Sequence, residues 1–320
     1  MRSSAWYRFR LVAIVGLAGS MTACGEPSDA TETVSSDLLQ NVPYLQHQTL
    51  QAHAGTGPGA TIFNGSAFFT YVQSNNQIGI VKETNLGNGT GQTATVTGLT
   101  DTTPYGASLV VFNGFLDMFY VGMDKNLYMK RSADGINWPV TFQLDNEGFW
   151  GTIPAPVVFN GQLYLFATAN LINGPNIFQV NISGNTVSVM YVTGQYSGVA
   201  PTAVAWKGNV YLAWDTLGST NIEILHASSL SPPSYSNVSV LPVAGNPALF
   251  PLSAQTMELV FAGNDAHIYR SYTNDGVTFG AIAQDAASTT NHKPLPFIAS
   301  GSDAWVYYIG QNNQLFTALE

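Results

Sequence analysis

The sequence predicts an all-β fold, a six-bladed β-propeller of four-stranded antiparallel blades, and three observations carry the prediction. A strand–turn–strand unit recurs at a near-constant step. Turns rich in Asn, Asp and Gly separate its strands. Charged residues make up only 9% of the 320-residue chain, which starves helices of their best surface formers and suits short strands.

The chain starts outside the repeat. Arg2, Arg8 and Arg10 precede an uncharged run over 11–23 that ends in Met21-Thr22-Ala23-Cys24. A basic start, a short apolar stretch and small residues are the layout of a secretory signal. The run is shorter than the roughly 20 apolar residues that cross a bilayer. Its ending resembles a bacterial lipoprotein signal peptide, in which the cysteine becomes the lipid-modified first residue, although Met21 stands where Leu is usual. The resemblance implies a signal peptide over 1–23, lipidation at Cys24, and membrane contact only through that lipid. It implies an exported protein of the outer membrane or cell surface. The alternative is a plain secretory signal with an incidental cysteine. Cys24 is the only cysteine, so no disulfide forms within one chain.

Without residues 1–23, seven basic residues face 19 acids, a net charge of −12. Nucleic acid is thereby excluded as a partner, since its recognition needs a basic stripe. Residues 25–41 hold four acids and no base among many Ser and Thr. The segment 24–41 therefore reads as a disordered tether, and 42–320 as the propeller.

The blades follow in order from their inner turns. These are Phe63-Asn64-Gly65, Phe112-Asn113-Gly114, Phe159-Asn160-Gly161 and Trp206-Lys207-Gly208, with degenerate turns near Ala254 and Gly301. The step is 49 residues once and 47 four times. A period in the forties made only of strands points to one four-stranded blade per repeat. In the third repeat the strands read, from inner to outer, 155–159, 163–169, 176–182 and 186–192. The second strands keep register at 68–72, 116–121, 163–167, 210–214, 257–261 and 304–308. The sixth repeat stops after its third strand, 314–319, and residues 44–50 are placed to supply the missing outer strand and close the ring.

Two connections after third strands stand out. One is Ser132-Ala133-Asp134-Gly135-Ile136-Asn137-Trp138; the other has Ser271, then Asn274-Asp275-Gly276-Val277-Thr278-Phe279. They resemble the Asp box, or BNR repeat, of sialidase-like propellers, in a degenerate form with Asp and Gly adjacent. The resemblance covers two of six blades and implies a folding element away from any active site. Ser132, Asp134, Gly135, Trp138, Ser271, Asp275, Gly276 and Phe279 are then structural. Sialidases grip a carboxylate with three arginines, whereas only Arg131 and Arg270 follow the signal here. Sialidase chemistry does not fit.

Glycoside hydrolysis normally needs two carboxylates flanking the bond. The six inner strands contain no Asp or Glu. If the chain is an enzyme, its candidates are the loop acids Asp101, Glu147 and Asp215, of which Asp215 follows Trp214. The five histidines, at 47, 53, 226, 267 and 292, lack metal-ligand spacing, so no metal or cofactor is expected.

A ring precedes the inner strand in five of six repeats: His53, Tyr105, Trp150, Tyr196 and His292. With Trp214 these are the candidate ligand-binding residues. The first five sit on connections that share the face where propellers usually bind ligands, and rings there suit the C–H face of a pyranose. The competing reading packs them as lids between blades. The sequence thus leans to a non-catalytic, lectin-like propeller that takes a glycan. A loop-acid glycosidase and an envelope protein-binding scaffold stand as alternatives.

Overall fold

A computed structural model describes residues 45–53, 56–84, 92–96, 98–171, 174–183, 186–196, 200–216, 221–243, 245–290, 293–298 and 304–319. Cys24, the signal, the tether and His292 lie outside the described residues. The described chain is all β, in six four-stranded antiparallel sheets arranged as the blades of a propeller.

Strand β1 (Leu45–Gln51) comes first in the chain and belongs to the last blade. Blade 1 runs outward from β2 (Gly59–Phe63) through β3 (Ser66–Val72) and β4 (Ile78–Thr84) to β5 (Gln92–Val96). Blade 2 holds β6 (Ala107–Phe112), β7 (Phe115–Val121), β8 (Leu127–Ser132) and β9 (Val140–Asp145). Blade 3 holds β10 (Ala155–Phe159), β11 (Gln162–Leu171), β12 (Gly174–Ser183) and β13 (Thr186–Tyr196). Blade 4 holds β14 (Thr202–Trp206), β15 (Asn209–Asp215), β16 (Ile222–Leu230) and β17 (Pro233–Leu241). Blade 5 holds β18 (Asn246–Pro251), β19 (Met257–Ala262), β20 (His267–Thr273) and β21 (Ala283–Thr289). Blade 6 holds β22 (Leu295–Ile298), β23 (Ala304–Ile309) and β24 (Gln314–Leu319), with β1 paired to β24 from Leu45↔Thr317 to Gln51↔Gln314.

The inner turns form as their residues dictate. Both turn residues have positive φ in Asn64-Gly65, Asn113-Gly114, Asn160-Gly161 and Lys207-Gly208, the two-residue type I′ geometry that favours Asn-Gly. Lys207 tolerates φ +47 because tertiary contacts hold it. Its Nζ donates to Asn274 O at 2.6 Å and lies 4.4 Å from the Trp206 ring. In blade 5 the turn is longer, and Ser253 Oγ accepts from Gln255 N at 3.1 Å and Thr256 N at 3.0 Å.

The core is divided among the seams. Each cluster of buried side chains draws on two neighbouring blades: Phe68 and Met118 across blades 1 and 2, Phe119 and Leu165 across 2 and 3, Phe166 and Leu212 across 3 and 4. Tyr211 packs with Leu259, Val260 with Val306, and Phe69 with Tyr307 across the remaining seams. Burying both faces of each blade is what lets one chain of this length fold around one axis.

The two box-like hairpins tie these seams. Asp134 Oδ1 accepts from Ile136 N and Asn137 N, each at 2.8 Å, and Ser132 Oγ accepts from Gly135 N at 2.8 Å. Asp275 Oδ1 accepts from Val277 N and Thr278 N, each at 2.7 Å. Hydrogen bonds from Thr278 and Val277 hold the Asp275 carboxyl down to about 2. Trp138 and Phe279 pack against the blade 1/2 and blade 4/5 cores. One assignment is corrected. The hydroxyl equivalent to Ser132 is Thr273, whose Oγ1 accepts from Gly276 N at 2.9 Å, while Ser271 donates elsewhere, to Gly280 O at 2.9 Å. Counting back from the shared Asp-Gly pair, not from the nearest serine, gives the position.

Candidate functional site

Four blades build the same connection between their second and third strands. Gly122 N, Gly263 N and Gly310 N donate to Asn126 O, His267 O and Gln314 O, each at 2.9 Å, and Gln73 N donates to Gln77 O at 2.8 Å. A side-chain oxygen then caps each turn: Asn75 to Gln77 N, Asp124 to Asn126 N, Asp265 to His267 N and Asn312 to Gln314 N. The next residue is in the left-handed region, with φ from 61° to 67° at Asn76, Lys125, Ala266 and Asn313. Its carbonyl accepts a backbone N–H from the chain leading to the next inner strand, as in Thr103 to Asn76 at 3.0 Å and Thr290 to Ala266 at 2.7 Å. Trp150 donates to Lys125 at 3.2 Å, and Ala52, just after β1, donates to Asn313 at 2.8 Å.

Three of these turns add a pair of stacked rings. Tyr120 and Tyr128 lie 5.3 Å apart at 15°, Phe261 and Tyr269 5.4 Å at 14°, and Tyr308 and Phe316 5.3 Å at 11°. The turn glycine is required by the outer ring: a Cβ on Gly122, Gly263 or Gly310 would lie 2.5–2.8 Å from that ring. Blade 1 has no outer ring, because Gly79 takes its place under Tyr71. In blades 2 and 5 the tyrosine hydroxyl donates to the capping acid, Tyr128 to Asp124 at 2.6 Å and Tyr269 to Asp265 at 2.7 Å. The Tyr269 hydrogen bond, with others from His267, lowers the Asp265 pKa, so Asp265 is an ionised acceptor at neutral pH.

The blade 4/5 seam opens here into a cavity of about 410 Å³. Pro242, Val243, Phe261 and Ile282 line its apolar side, and Asn264, Asp265 and Tyr269 its polar side. Asp215 positions this wall by accepting from Gly245 N at 3.2 Å, and burial pushes its carboxyl pKa up. Asp124, Asp265 and Tyr269 are functional candidates absent from the residues expected on sequence alone. Their signal was legible: Gly-x-Asx, then an aromatic four residues after the Asx.

Among the described residues the expected ligand rings do not converge. Trp150 and Trp214 are fully buried, which corrects their assignment. Trp150 wedges between blades 2 and 3 beside Phe149 and Phe178, and its Nε1 donates to Asp145 Oδ2 at 2.5 Å. Trp214 lies in the blade 3/4 core. Tyr105 is half-buried against the blade 2/3 core, and its carbonyl accepts from Gly57 N at 2.8 Å. His53 is half-buried, donating N–H to Val72 O at 2.6 Å. Tyr196 closes β13 opposite Asn176.

The loop acids are likewise separated. Asp101 accepts from the Tyr120 hydroxyl at 2.7 Å and pairs with Lys130 at 2.8 Å. Glu147 is exposed between β9 and β10, and Asp215 ends β15. They belong to connections of different blades. Among the described residues no cluster of three His, Cys, Asp or Glu is placed to hold a metal.

No protein family and no curated protein matches the sequence. Solved structures match its fold. A six-bladed lectin from Aleuria aurantia, described with a fucose recognition mode, superimposes with TM-score 0.67 at 13% identity over 84% of this chain and 93% of its own. AofleA from Arthrobotrys oligospora gives 0.65 at 12% identity, over 87% and 85%. An α-L-arabinofuranosidase from Clostridium thermocellum gives 0.51 at 14% identity, over 73% and 96%. At these identities the likeness is one of fold.

Proposed function

We propose that the chain is a non-catalytic, lectin-like propeller that binds neutral sugar units at its seams. The observation that carries this reading is the blade 4/5 cavity, where Tyr269, stacked on Phe261, stands beside the ionised Asp265 and Asn264. A pyranose presents a C–H face to such a ring and hydroxyls to such acceptors, and about 410 Å³ is the scale of a small-ligand site. The lectins similar in fold are described with fucose and its glycosides, which supports a sugar with one apolar face. Hydrolysis receives less support, because the inner strands lack carboxylates and the loop acids Asp101, Glu147 and Asp215 lie apart.

A glycan array probed with the labelled full chain is expected to show binding to a restricted set of neutral glycans, weakened by Asp265→Ala. A blank array from folded protein overturns the reading.

The basic start, the apolar run and Cys24 support a lipidated chain displayed at the outer membrane or cell surface through residues 24–41. Metabolic labelling with a fatty acid should mark the wild type and spare Cys24→Ser. Equal labelling of the two sinks this part. The Asp-centred bonds of both box-like hairpins support a shortened Asp box.

A further inference from the structure

The inner strands of four blades and the residues that lead into them, with Lys293 and Leu295 of blade 6, wall a cavity of about 110 Å³. Its lining is mostly proline and small residues, including Pro58, Pro154, Pro156 and Pro201, with Ser108 and Thr202. Among the described residues that line it, one is charged. Lys293, just before β22, reaches from blade 6 across to the start of blade 4, where its Nζ donates to Pro201 O at 2.9 Å. No acid is among the described residues that line the cavity. A cation facing an apolar, carbonyl-bearing wall with one hydrogen bond keeps two ammonium donors for a ligand. Burial there lowers the lysine pKa to about 7, the direction expected when an ammonium loses water without gaining a counter-charge.

We propose that this cavity is a carboxylate-binding site, with Lys293 as the counter-charge. The volume admits a carboxylate head group and is too small for a pyranose ring. The ligand is therefore a small monocarboxylate, or the carboxylate of a larger molecule entering head-first. Binding favours the ammonium form and so takes up a proton above the free-state pKa. With that value at about 7, affinity falls about tenfold from pH 6 to pH 8. This site stands apart from the seam sites, and its failure would leave neutral-glycan binding untouched.

The test is isothermal titration of the full chain with sodium acetate and with methyl glucuronoside, at pH 6 and 8 and constant ionic strength. The expected result is one site for acetate, about tenfold weaker at pH 8, and abolished in Lys293→Met. Binding of the glucuronoside as well assigns the site to larger acids, and binding of acetate alone assigns it to small ones. Lys293→Arg keeps a permanent charge, so it should retain binding with a flat pH profile even if the Met variant folds poorly. Binding of neither carboxylate overturns the proposal, as does equal affinity in folded Lys293→Met or a pH-independent wild type.

Discussion

Glu83→Gln should make the propeller more stable at pH 8 than the wild type, and should do so by relieving a buried charge. Glu83 is 1% exposed on β4, in the seam between blades 6 and 1, where its charge also acts on Tyr307. Burial lifts its pKa from 4.5 to about 7. The sign follows from linkage: the folded chain prefers the protonated acid, so the cost of ionisation appears as pH rises past 4.5 and is complete above about 7. A shift of that size corresponds to ~3 kcal/mol at pH 8, of which little remains at pH 5. Glutamine keeps the shape and removes the titration. Urea unfolding followed by tryptophan fluorescence at pH 5 and 8 should show the variant's advantage growing by roughly 2–3 kcal/mol between the two. Parallel pH profiles for variant and wild type would refute the reasoning, because the seam would then be holding Glu83 ionised at no cost.

Two further substitutions separate the site from the scaffold. Gly263→Ala places a Cβ 2.5 Å from the Tyr269 ring, so the stacked pair must shift; affinity for the best array glycan should drop at least tenfold by titration. Gly135→Ala meets both a φ of +76° and the Phe68 ring of blade 1 at 2.4 Å, and should cost roughly 2–3 kcal/mol in urea unfolding while leaving glycan affinity intact. An affinity loss in the second, or none in the first, would reverse their roles.

What could be read from the residues alone depended on whether the cause was local. Asn-Gly turns were legible because positive φ at two successive residues is a property of those residues. The blade count followed from their spacing. Lys207 keeps the same turn through Asn274 O and Gln255 O, which are distant in sequence. The burial of Trp150 and Trp214 was not legible, because both lie near the seams and only the packing of the adjacent blade decides whether a ring faces water. Thr273 was missed for a related reason. The box depends on a register across the hairpin, and a serine two residues earlier imitates it.

The repeated turn also explains why function is harder to read than fold. Its backbone bonds are the same in blades 1, 2, 5 and 6, so the geometry tolerates Asn or Asp at the cap and a ring or glycine on the third strand. Those free choices separate the seams. At the blade 1/2 seam Asp101 takes the Tyr120 hydroxyl and Lys130, and so holds the acid and the base to each other. At the blade 4/5 seam Pro242 and Val243 approach instead, and the acid that anchors this connection, Asp215, binds a backbone N–H. Tyr269 and Asp265 then face the cavity. A scaffold of six similar blades therefore need not carry six similar sites. The side chains left unconstrained by the turn decide which seams open into a cavity.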